Sequence, residues 1–168
     1  MMASLLRPIL SPTRPVPRLP ISLLALACAL SLSSAARAAS IDESVPTADV
    51  LAQLEQRASL ASPRERAYLY TELVHSMTEK AGREISDGDS SAADATLKQI
   101  NHYAHLLQDS LARNTSKLKN AEMLMQHTTW RLAQCVHLAA PDDKPQLQAT
   151  LAELNHVNDA LLTQVFQH

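Results

Sequence analysis

The chain has 168 residues, 15 Lys and Arg against 17 Asp and Glu, two cysteines and two glycines, with a formal net charge of −2. That length suits one ordinary core. The balance excludes a basic nucleic-acid binder, and so few glycines leave little room for phosphate-cradling loops or nucleophile elbows.

Residues 1–38 read as an export signal. Arg7, Arg14 and Arg18 precede the apolar run "ISLLALACALSL" at 21–32 and the small-residue stretch "SSAARAAS", and no acidic residue comes before Asp42. This is the order of a secretory leader, with cleavage expected after Ala38. The run falls short of the roughly 20 residues of a spanning helix, so no stable membrane span is expected after cleavage. Leucine two residues before Cys28 argues against a lipid anchor there. Removing four arginines leaves 11 basic against 17 acidic residues, a net charge of −6 on the mature chain. Cys135 is then its lone cysteine, which forbids an internal disulfide. The expected location is periplasmic or extracellular.

Residues 39–47 form a polar lead-in, and 48–168 are expected to make a single helical-bundle domain. Thr47 is a candidate cap for a short helix carrying Val50, Leu51 and Leu54. "SPRE", residues 62–65, is a start signal with Ser62 at the cap, Pro63 in the first turn and Glu65 completing a capping box. The helix it opens presents Tyr70, Leu73, Val74, Met77, Ala81 and Ile85 on one face, and Gly88 is its natural stop. "SAAD", residues 91–94, opens the next element.

From there to Ala140 neither Gly nor Pro occurs. Leu97, Ala104, Leu111, Leu118, Met125, Leu132 and Ala139 recur every seven residues, with Ile100, Leu107, Ala121 and Cys135 filling the complementary seam. Asn114 and Thr128 interrupt it. The unbroken phase favours one long helix over about 91–140, straight or kinked, above two helices that part near Asn114. "PDDKP", residues 141–145, ends it. A last helix follows with Leu147, Leu151, Leu154, Val157, Leu161 and Val165 on its face. The expected fold class is therefore all-α, with antiparallel helical hairpins folded around the long element.

The segments "KLKNAEMLMQH" at 117–127, Arg131-Leu132 and "DDKPQLQATLAELNHV" at 142–157 resemble an uncharacterised family of secreted helical proteins from acidobacteria. The resemblance spans most of the mature chain. It implies bacterial export and brings no activity, cofactor or site residue.

Two Glu-x-x-His pairs, Glu72/His75 and Glu153/His156, echo the ligand motif of di-iron bundles, with Glu55 and Glu122 as lone glutamates. The apolar seams, however, place Glu72 and His75 on the outer side of their helix, and Glu153 and His156 flanking the seam of theirs or facing outward, so no dinuclear centre is expected. A second stripe is formed by Met123, His127, Trp130, Gln134 and His137, each three or four residues from the next and off the core seam. Its reading is an interaction surface, covered by the helix at 48–60 or by a second subunit. The alternative is a soft-metal site at Met123 and His127, with His137 nearby, since a thioether and an imidazole one turn apart suit Cu(I). His102 and His105, one turn apart, could hold a divalent ion weakly, but their polar side reads as a solvated face. Arg113, Lys117 and Lys119 make a small basic cluster that could meet a phosphate or anionic headgroup, and reads first as a surface balancing nearby Asp and Glu. Cys135 is expected to be buried and inert. No nucleophile, base or cofactor motif is found, which predicts a non-enzymatic exported protein partnered by itself or by another envelope protein, with no catalytic residue and no cofactor.

Overall fold

The computed structural model describes residues 45–111 and 115–167. The expected leader, most of the polar lead-in, and Arg113 and Asn114 lie outside them. Five helices follow in order: α1 Ala48–Leu60, α2 Pro63–Ser86, α3 Ser90–Asp109, α4 Leu118–Leu138 and α5 Lys144–Phe166. Among the described residues there is no strand, and no helix is long and apolar enough to cross a membrane.

The helix ends follow local chemistry. Thr47 accepts the Val50 N–H at 3.4 Å and starts α1. At Ser62 the expected box does not form. The hydroxyl donates to the Glu65 carboxylate at 2.9 Å and caps no backbone N–H, while Pro63 supplies the pre-set first turn. Gly88 ends α2 with φ 78°. Its N–H donates to Ile85 C=O and that of Asp89 to Glu84 C=O, the paired bonds of a left-handed glycine stop. Asp89 immediately caps α3 by accepting the Ala92 N–H at 3.0 Å, so this helix starts earlier than "SAAD" suggests.

The long helix expected over 91–140 is two helices. α3 closes at Asp109, where the Ser110 N–H and hydroxyl both turn back to Leu107 C=O. Before α4, Lys117 adopts the left-handed region at φ 54°. The Ser116 N–H and hydroxyl both donate to Arg64 C=O, at 2.8 and 3.0 Å. Poor helix formers and these side-chain bonds break the rod where the seven-residue phase does not. The seam itself is real: Leu97, Ala104, Leu107, Leu118, Ala121, Met125, Leu132 and Ala139 are buried.

α2 and α3 form one antiparallel hairpin, α4 and α5 another. The hairpins stack with like-directed helices side by side. Arg64, His75 and Glu79 of α2 meet Ser116, Thr128 and Arg131 along α4. Ser90, Asn101 and Gln108 of α3 meet Asp143, Thr150 and His156 along α5. α1 packs on α2, burying Leu51, Leu54 and Ala58 and leaving Val50 exposed. Leu73, Ile100, Met125, Leu132, Leu154 and Leu161 fill the centre, and each contributes about 1.5–3 kcal/mol by leaving water.

Candidate functional site

The stripe read from the sequence lies on α4, and none of the described helices covers it. Met123 is 58% and Trp130 54% exposed; Gln134 and His137 are exposed and His127 is half-buried. α1 packs against α2, so it does not provide the expected cover. The exposed residues of α4 from Met123 onward are Met123, Gln126, Trp130, Gln134, His137 and Leu138. None is a carboxylate, a lysine or an arginine. The result is a turn-by-turn strip of Met, Trp and amides without formal charge.

Beneath the stripe lies a polar cluster that corrects the reading of His75. Expected on the outer side, His75 is 9% exposed, wedged between α2 and α4. α2 has three helical neighbours and buries more than its apolar face. Thr71, His75, Thr78 and Gly82 make a second, small-and-polar stripe along it, and Thr71 and Thr78 are fully covered.

The hydrogen bonds select the tautomer of this histidine. The Thr128 hydroxyl donates to Leu124 C=O at 2.7 Å, which uses its one proton. Thr128 can then only accept at its 3.0 Å contact with His75 Nδ1, so Nδ1 carries the hydrogen and Nε2 is bare while the ring is neutral. The His127 ring lies 5.5 Å away, tilted by 52°, and Trp130 lies 6.0 Å beyond His127. His127 Nδ1 is buried and has no hydrogen-bond partner among the described residues.

One turn along α2, Glu79 is 7% exposed and takes both arms of Arg131, Nε at 2.8 Å and a terminal nitrogen at 2.7 Å. Those bonds hold the Glu79 carboxyl below its usual range against the opposing effect of burial. His75 is pushed below its ordinary value, mainly by burial. Glu79 pulls the other way, while His127 and Arg131 add to the depression. His75 and Glu79 also line a groove of about 280 Å³ with Val45, Pro46, Thr47 and Val50.

The two halves of the Glu-x-x-His echo stay apart. His156 is exposed and contacts Gln108 at 3.2 Å, while Glu153 pairs with His105 at 3.4 Å, both between α3 and α5. Glu72 and Glu55 lie instead near Tyr68 and Tyr103, whose hydroxyls burial and these carboxylates push up. No cluster of three His, Cys, Asp or Glu placed to hold a metal occurs among the described residues. His102 is exposed as expected, edge-on to Tyr103 at 5.2 Å.

Cys135 is half-buried rather than buried. Its Sγ fills the space that a side chain on Gly82 would enter, 3.1 Å from where a Cβ would stand, and burial pushes its thiol up. Such a thiol is a poor nucleophile. Lys117 lies 4.5 Å over the Tyr68 ring, and Lys119 is exposed. Comparisons of the chain with models of known protein families, with characterised proteins and with solved structures give no match.

Proposed function

We propose that this is a non-enzymatic, exported helical protein that works by docking through the uncharged stripe of α4, and that the occupant of the stripe is a second copy of the chain. The observation that carries the reading is the exposure of Trp130 and Met123 on a strip without formal charge. A stripe that bears neither sign presents no like-charge repulsion to its own copy, even though the mature chain as a whole is acidic. It also suits the self-complementary face that a two-fold dimer requires. From Met123 to Leu138 it runs about 22 Å at 1.5 Å per residue, enough for an aromatic anchor with flanking contacts. Export rests on the leader pattern at 1–38.

Sedimentation across a concentration series tests the reading. The wild type is expected to dimerise, and Trp130→Glu to weaken the dimer about 30-fold or more, as loss of a central tryptophan anchor does. A wild type that stays monomeric up to about 100 μM ends the self-association reading and leaves a different envelope protein as the occupant.

A second reading is supported by the unpartnered Nδ1 of His127, one turn from the exposed Met123 thioether. Together they offer soft ligands for Cu(I), with His137 further along the stripe. Cu(I) competition against a chelator decides it: Met123→Ala should weaken binding, and equal affinity in both proteins removes the idea.

A further inference from the structure

A cleft of about 400 Å³ opens at the opposite end of α2 from Gly88, lined by Arg57, Leu60, Tyr68, Leu69, Ser116 and Lys117 together with Ala61 and Glu65. Three segments build it: the last turn of α1, the first two turns of α2 and the approach to α4. We propose that this cleft binds a single-chain amphiphile, an anionic head on an aliphatic tail.

The head is assigned by charge. Arg57 and Lys117 both line the cleft, and neither has a carboxylate within ion-pair distance among the described residues. Glu65, the one acidic residue among the described lining, accepts the Ser62 hydroxyl. The described lining is thus net positive by one in a mature chain where acidic residues outnumber basic ones 17 to 11. Lys117 is held in place on two sides. Its ammonium lies over the Tyr68 ring, and the preceding Ser116 is tied by two bonds to Arg64 C=O.

The tail is assigned by the remaining wall. Leu60, one turn beyond Arg57 on the same face of α1, is 78% exposed, and Leu69 and Ala61 continue the apolar surface. A free inorganic anion would leave that surface wet. An amphiphile satisfies the cations and covers the leucines together, in a volume within the range of small-molecule sites.

Titration calorimetry of the purified protein tests this, with decanoate below its micelle concentration as the probe. Acetate supplies the head alone, and decyltrimethylammonium the same tail with the opposite charge. The expected result is one decanoate per chain, with both analogues at least tenfold weaker. Arg57→Gln and Lys117→Gly should each weaken decanoate about tenfold, the scale of one charged hydrogen bond. Glycine adopts the φ of 54° at position 117 without strain, so that variant keeps or raises the unfolding midpoint while losing affinity. Trp130→Glu, on the α4 stripe, should bind decanoate as the wild type does. Equal binding of the cationic and anionic amphiphiles, undiminished binding by both cleft variants, loss of binding in Trp130→Glu, or no decanoate binding would each overturn the proposal.

Discussion

The two seams between like-directed helices are built from similar residues and work differently. Between α2 and α4, Glu79 and Arg131 form a two-armed pair with the carboxylate 7% exposed, and His75 is buried against Thr128. Between α3 and α5, Glu153 meets a largely exposed His105 and Gln108 meets an exposed His156, at the rim of a packed core. Glu and His are common to both. What differs is the dielectric they sit in, and so the cost of leaving one unpaired.

The largest expected effect tests that cost directly. Glu79→Ala removes both hydrogen bonds that Arg131 donates to this carboxylate and should destabilise the fold by about 2–3 kcal/mol in denaturant melts. This is below the usual range for a broken buried pair because Arg131 is still 35% exposed. A loss under about 1 kcal/mol would make this seam no different from the other.

Acid gives the next effect. The folded-state value of His75 is depressed below 6.5, so the unfolded chain binds the proton more readily. The stability it confers is whole above pH 6.5 and declines as pH falls through the folded value, by at most about 1.4 kcal/mol per pH unit. Glu79, depressed below 4.5, adds a second decline of the same sign at lower pH. His75→Gln should flatten the upper limb and keep the lower one. An unchanged slope between pH 6.5 and 5 would show that His75 is not its source.

Thr128→Val removes the acceptor for His75 Nδ1–H and keeps the shape, so about 1–2 kcal/mol should be lost by thermal melts. The smallest effect belongs to the other seam. Glu153→Ala breaks only the contact with the exposed His105 and should cost under about 0.5 kcal/mol. A larger loss there would blur the contrast between the seams.

The apolar stripes of α2, α4 and α5 were legible as spacing, because burial of one face imposes the 3.6-residue period. Continuity of a helix is not written in that period. Leu111 and Leu118 are seven apart across a connection, and the agreement of phase there is accidental, since each helix buries its own stripe. His75 was misplaced for a related reason: apolar spacing finds only apolar contacts. The signal that would have found it was present as Thr71, His75, Thr78 and Gly82 at four- and three-residue steps, matched by the unexplained polar break at Thr128 in the opposing seam. Those two anomalies are the two sides of one hydrogen bond. The exposed stripe of α4 was legible in its residues. That α1 leaves it uncovered was not, because no periodicity says which neighbour a short helix chooses.

The hydroxyl of Ser116 on Arg64 C=O and that of Ser90 on the Asp143 carboxylate stand at opposite ends of the stacked hairpins. Each joins the start of one hairpin helix to the connection that leads into the other hairpin or turns within it. A body tied at top and bottom resists peeling open from one end as a book does. Melting followed by far-ultraviolet circular dichroism and by Trp130 fluorescence should therefore trace one all-or-none curve, both hairpins failing together.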